Sequence, residues 1–359
     1  MDIELKTLGE EGIRQFLLLQ ADAVNAVTER FYSTYGSVYE CFGPLGRESC
    51  RQDLAFHLEF LCPVLEFGFL QPMVDYLCWL DSVLSSRMIP AEHLALSLDW
   101  LGEFFASHMK EPDGKVVAGA LQAARTKFLN TGKATLLAPK PPKAWPETDA
   151  FEMALLAGHQ YEALDILNQF IDSGSSMVDF EMHVIQPSLY RIGEKWQTNQ
   201  VSVAQEHLAS TIVQSVMTMG LLRSPPPVMS NKKILLACVE DNHHGIGLRM
   251  VSDAFQLAGW DVQHLGTNVP TAVIIQHASE WKPDIVGLSV SFAHHLQTAK
   301  AVIARLKEQL GITRPAVMVG GLAINRFSQL AGVVGADADS KDAMSAVASA
   351  IRIVDGSIP

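Results

Sequence analysis

Positive charge is scarce in this chain. Its 359 residues hold 27 Lys and Arg against 39 Asp and Glu, a formal net charge of −12. An acidic surface repels phosphodiester backbones, so direct nucleic-acid binding is not expected. Paired cysteine is missing too. Cys41, Cys50, Cys62, Cys78 and Cys238 are odd in number and form no C-x-x-C, which reads as free thiols in a reducing compartment. No apolar run reaches the length of a membrane span without a charge, Gly or Pro break. The opening residues, MDIELKTLGEEG, lack the basic-then-apolar order of a secretory signal. These absences together predict a cytoplasmic protein with no membrane contact.

Apolar residues are plentiful, at 48%, and the length predicts two or three domains. Two Pro-rich stretches, APKPPKAWPETD (138–149) and RSPPPVMSNK (223–232), sustain neither helix nor central strand and read as linkers. Residues 1–137 carry apolar positions at three-to-four spacing, as in GIRQFLLLQADAVNAVTERF, which predicts an all-α domain of five to seven helices. Residues 150–222 have room for four helices, the first run being split at Gly158. A four-helix bundle of that size needs a neighbour to cover its remaining apolar face. Residues 233–359 alternate strand and helix: KILLACV, DVQHLG, IVGLSVS, AVMVGG and a short edge GADADS are the strands. Alternating βα units predict a parallel sheet covered on both faces, with ligands at the carboxyl ends of its strands.

VEDNHHGIGLRMVSDAF (239–255) lies at the first of those ends. Histidine is a poor residue for a tight βα turn, and this stretch has two, beside two closely spaced glycines. The pattern is that of a loop offering an imidazole to something large. Asn242-x-His244-x-x-Gly247 resembles the D-x-H-x-x-G loop of cobalamin-binding flavodoxin-like domains. GLSVS (287–291), with Ser289, resembles that family's third-strand serine motif, and VGG (319–321) its fourth-strand glycine pair; GADADSKDA resembles the closing strand and helix. The resemblance implies that His244 replaces the cofactor's own base as lower cobalt ligand, with His243 the alternative. It also implies a slot for the displaced nucleotide tail, where Gly320 and Gly321 let the tail approach backbone. The family's aspartate is Asn242 here, a neutral amide that supports the far imidazole nitrogen less than a carboxylate does. A receiver module would show an acidic trio at the strand ends, and none gathers there.

The helical segment before the sheet narrows the class. Trp196, nine residues, then Glu206-His207 resembles the W-x9-E-H signature in the cap of cobalamin-dependent light-sensing regulators. In that family the tryptophan and the E-H pair enclose the upper adenosyl group. The chemistry fits: an indole is a flat apolar wall, and a carboxylate accepts hydrogen bonds from ribose hydroxyls. Those regulators carry a histidine beside the tryptophan, where this chain has Gln197. A second axial histidine after loss of the adenosyl group would have to come from His207, His183 or elsewhere.

No basic winged-helix segment precedes the cap in this sequence. The layout is similar to photocobilins, which pair cobalamin with a bilin held by an upstream helical domain. That resemblance implies biliverdin as a second chromophore, with His57, Tyr76, Trp79, His93 and His108 as candidates to line its slot. The expected function is a light sensor, not an enzyme: adenosylcobalamin loses its upper ligand, the cap moves, and homo-oligomeric assembly or an unnamed partner protein reads the change. A corrinoid methyl carrier and a haem or redox sensor on the same fold are the alternatives.

Overall fold

The computed structural model describes residues 5–131, 143–327 and 329–356. Two units emerge, Met1–Leu136 and Leu137–Pro359. The first is all helix: α1 (Glu10–Tyr39), α2 (Gly43–Phe67), α3 (Gln71–Ser85), α4 (Ala91–His108) and α5 (Asp113–Thr131). Their apolar stripes meet in one core, where the Phe16 and Phe105 rings lie 4.9 Å apart between α1 and α4.

The second unit begins with a helical bundle: α6 (Glu147–Ala157), α7 (Gln160–Asp172), α8 (Met177–Phe180), α9 (Gln186–Gln197) and α10 (Val203–Arg223). Gly158 ends α6 at φ +73°, a conformation that suits glycine, and so splits the first run as its position predicts. A single wide turn, Glu181–Ile185, joins α8 to α9 in one continuous rod. Ser202 starts α10 with a reciprocal cap: its hydroxyl accepts from the Gln205 amide at 3.2 Å, and its own N–H donates to Gln205 Oε1 at 3.1 Å. The first helix begins at Glu147, inside the stretch read as linker, and Trp145 just ahead of it stacks on His183 at 4.8 Å. Its first part, through Pro142, lies outside the described residues. The second Pro-rich stretch from Ser224 to Lys232 forms no helix or strand.

Five parallel strands follow: β1 (Lys233–Cys238), β2 (Asp261–His264), β3 (Ile285–Ser289), β4 (Ala316–Gly320) and β5 (Ala338–Asp339), in the order β2-β1-β3-β4-β5. The helices between and after them are α11 (Ile246–Leu257), α12 (Thr271–Trp281), α13 (Leu296–Leu310), α14 (Leu322–Arg326), α15 (Gln329–Val334) and α16 (Ala343–Val354). The chain winds outward from β1 in one direction and from β3 in the other, so a crevice opens above the carboxyl ends of that pair. The register sets Cys238, Ser289 and Gly320 side by side there.

The bundle covers α11 and α16. Met250, Ala254 and Ala343 are buried in the same cluster as Phe151, Phe180 and Val213, so the bundle's open apolar face has its neighbour. One polar group crosses this seam. Glu181, in the wide turn, is fully buried against Asp253 of α11, whose Oδ1 accepts from Arg249 Nε at 2.7 Å. Both Glu181 oxygens and Asp253 Oδ2 face no donor, so as two carboxylates they would repel in a dry site; a proton on Glu181 resolves this. Burial accordingly raises the Glu181 carboxyl well above the usual carboxylate range, with Asp253 adding to the rise and Arg249 opposing it.

Candidate functional site

His244 stands in the loop between β1 and α11 and lines a cavity of about 320 Å³. Leu236, Gly287 and Met318 of the sheet, Phe255 of α11 and Ala346 of α16 line it too. Ser289, Gly320 and Gly321 line it, as does Gly247. A Cβ on Gly247 would meet nothing within 4 Å, and its φ is not positive, so no contact inside the protein requires glycine there. Gly321 differs. At φ +101° its Cβ would strike the Val290 carbonyl oxygen at 2.5 Å, so the close approach of β4's exit to β3's exit demands glycine whatever the cavity holds.

The loop is held by Asn242, and not in the way the resemblance implies. Its side chain is fully buried, its Nδ2 donates to the Ser289 carbonyl at 2.9 Å, and its Oδ1 accepts from the His244 backbone N–H at 3.2 Å. Its own carbonyl accepts from Asn268 N at 3.0 Å. The amide therefore clasps loop to strand and leaves the imidazole alone. This job needs a donor and an acceptor on one short side chain, which an amide has and an ionised carboxylate lacks.

Around the imidazole lie groups that the motif does not contain. Phe292, just past β3, presents its edge to His244 at 4.9 Å, and His294 and His295 follow it. Burial pushes His294 down to about 3 and His295 to about 4; neighbouring histidines, His244 among them, add to both shifts. His244 itself is lowered by desolvation and by His243, while Glu206 of α10 pulls it upward. The site thus offers a neutral imidazole with a lone pair for a metal, and Glu206 of the cap is near enough for its charge to be felt. His243 and His244 are both solvent-exposed, so exposure alone does not separate the two candidates. FAHH directly after a strand was the available signal for the two extra histidines.

On the cap side, Trp196 packs half-buried against the bundle core near the end of α9, followed by Gln197. Glu206 Oε2 meets His207 Nδ1 at 2.5 Å and its Oε1 accepts from Ser210 Oγ at 3.0 Å. His207 is exposed, whereas His183 is stacked on Trp145 and bonded to the Lys143 carbonyl at 3.0 Å. The cavity's own cap wall is formed by Met182, Gln186, Leu189 and Tyr190, which periodicity alone does not single out.

The helical unit gathers only some of its candidates. His57 Nδ1 and Tyr76 Oη are 2.9 Å apart, Phe60 stacks on Tyr76 at 4.1 Å, and Trp79 is 6.3 Å from Tyr76. His93 belongs to another aromatic group, with Tyr35 and Tyr39, and His108 stacks on Phe104.

A parallel sheet with an imidazole beside a cavity lined by small residues, covered by a helical bundle, has room for a large ligand. Residues 232–348 match a family described as B12 binding domain, and residues 148–219 match a second family with the same description. The fold of this unit is accordingly the flavodoxin-like B12-binding fold with its helical cap. Over 184 residues the chain is 29% identical to the HTH-type transcriptional repressor CarH of Myxococcus xanthus, covering 50% of this chain and 60% of that protein. Over 143 residues it is 37% identical to dimethylamine corrinoid protein 3 of Methanosarcina acetivorans, covering 38% and 66% respectively. The chain thus spans somewhat under two thirds of each of these relatives. The solved monomethylamine corrinoid protein of Methanosarcina barkeri aligns at 18% identity and a TM-score of 0.49, over 56% of this chain and 96% of that one. No helix among the described residues is long and apolar enough to cross a membrane.

Proposed function

We propose that the cap and sheet bind adenosylcobalamin, with His244 as lower cobalt ligand, and that the protein is a light sensor and not an enzyme. One observation carries this reading: His244 of the ligand loop and Met182, Gln186, Leu189 and Tyr190 of the cap line one cavity with Ser289, Gly320 and Gly321, so loop and cap face one space. Adenosylcobalamin, when bound, supplies visible absorption and a carbon–cobalt bond that light can break. The chain's residues do the rest. His244 offers its lone pair, Asn242 keeps the loop in place, and Gly247 with Ser289, Gly320 and Gly321 leaves room for a nucleotide tail. Trp196 and Glu206 bound the upper side, and His207 lies exposed next to them. Emptying that upper side removes support from the bundle, whose shift alters the face shown to a second copy or a partner protein. The likeness to a transcriptional repressor supports a regulatory role, and the net charge of −12 favours a protein partner over nucleic acid.

The second reading, a corrinoid methyl carrier, is favoured by the 37% identity to a dimethylamine corrinoid protein. Reconstitution with adenosylcobalamin in the dark, then spectra and light-scattering mass before and after green illumination, separates the two. The sensor reading expects a light-driven spectral change and a change of mass. A spectral change with constant mass leaves signalling to a partner protein. A holoprotein that is inert to light but exchanges methyl groups with a corrinoid methyltransferase is a carrier.

A further inference from the structure

The cavity carries polar groups that its apolar floor does not satisfy. Gln186 opens α9 on the cap side and Asn325 sits in α14 on the sheet side; both line the cavity. Asn325 Nδ2 donates to the Lys341 carbonyl at 2.8 Å, which fixes the amide's orientation, and its Oδ1 is buried with no partner. The Gln186 side chain is hydrogen-bonded to Tyr190, and its Oε1 is likewise buried with no partner. Next to them Arg326, close enough for its charge to act on Tyr190, has a buried Nε without an acceptor. Buried polar atoms are ordinarily paired, so two orphaned oxygens on residues that line one cavity call for a ligand that supplies what they lack.

Their chemistry says which ligand groups fit. Two carbonyl oxygens ask for N–H donors, and a phosphate or carboxylate would meet them with like charge. A guanidinium N–H asks for an acceptor. A primary carboxamide has donor and acceptor together and carries no charge. We propose that Gln186 and Asn325 are an amide clamp: from cap and sheet respectively, they accept N–H bonds from the peripheral carboxamides of the bound corrinoid. The clamp rests on the cobalamin reading above and adds to it the recognition of the corrin's rim. It also makes the ligand a tie between the two halves of the unit.

The test uses the full chain with Gln186→Leu, Asn325→Leu and the double variant. Ligand-free melting and adenosylcobalamin affinity are measured for each, the latter by titration. A clamp separates these readouts. Gln186→Leu removes an orphaned acceptor together with the bond to Tyr190, two opposing effects that leave its ligand-free melting temperature close to wild type, while affinity falls about fivefold to tenfold for the one lost ligand bond. Two tailless probes sharpen this: cobinamide, rimmed by amides, and cobyrinic acid heptamethyl ester, rimmed by esters. Wild type prefers cobinamide, and the double variant loses much of that preference. Variants that bind adenosylcobalamin like wild type overturn the clamp. So does an affinity loss that comes with a lower ligand-free melting temperature and an unchanged preference for amide over ester. If wild type binds no corrinoid at all, the cobalamin reading fails first.

Discussion

Two sets of polar groups, one in each unit, are treated in opposite ways. In the helical unit His57 closes on Tyr76, and Tyr39 on His93, each beside aromatic neighbours. In the cap-and-sheet unit two oxygens on residues that line a cavity, Gln186 Oε1 and Asn325 Oδ1, are left open. A closed pair contributes to stability and asks for nothing more. An open group lowers the stability of the free protein and is useful only when a ligand completes it. The difference marks the cavity of the second unit as a place for a ligand without reference to any motif.

The comparison is broken most severely at Asn242, which is closed and yet belongs to the site. Replacing it with Ala leaves the His244 N–H without its acceptor and the Ser289 carbonyl with only the Val239 N–H at 3.4 Å, so the cap-and-sheet unit should lose roughly 1–3 kcal/mol. Chemical denaturation checks the stability, and cobalamin affinity should fall with it because the loop loses its anchor. An unchanged midpoint would mean that the loop is held by something else.

A smaller effect is expected at Glu181. A carboxyl whose folded pKa is raised stabilises the fold below its unfolded value, about 4.5, and that contribution is lost as pH rises toward the folded value. The groups facing it are Asp253 and Arg249 of α11, with His264 of β2 near Arg249. Docking of cap on sheet should therefore weaken from mildly acidic to alkaline pH. Glu181→Gln keeps a donor to Asp253 and removes the titration, so its melting temperature should vary less with pH and exceed wild type by a few degrees at pH 8. Parallel pH curves for the two proteins would show that the seam does not depend on that proton.

The smallest effect belongs to the closed side. Tyr76→Phe removes one hydrogen bond from His57 and should cost the helical unit about 1 kcal/mol. Cobalamin affinity should be untouched, and a measurable change there would join the two units functionally.

Much of this was legible in the sequence because it rests on local rules. Alternating apolar runs announced the parallel sheet, Gly158 announced its helix break, and His244 with Gly247 announced the loop. Other features depend on contacts distant in the chain. Asn242 looked like a weakened support for the imidazole, because nothing local tells that its amide reaches Ser289, 47 residues away. No motif marks Gln186 or Asn325, and only the fold sets both on one cavity. No motif marks Glu181 either, and only the wide turn at Glu181–Ile185 brings it against Asp253. The start of α6 was missed because prolines dominate the stretch before it, whereas the stacking of Trp145 on His183 is a tertiary contact.

The central claim is that a histidine of the sheet loop, and not the cofactor's own base, would hold cobalt. It is tested most directly by electron paramagnetic resonance of cob(II)alamin bound to protein labelled with 15N-histidine, the cofactor being at natural abundance. A protein histidine as axial ligand splits the cobalt lines into doublets, because 15N has nuclear spin one-half, while the cofactor's own 14N base gives triplets. The account predicts doublets that vanish in His244→Ala and persist in His243→Ala. Triplets in the wild-type protein, or doublets that survive His244→Ala and vanish in His243→Ala, would contradict it.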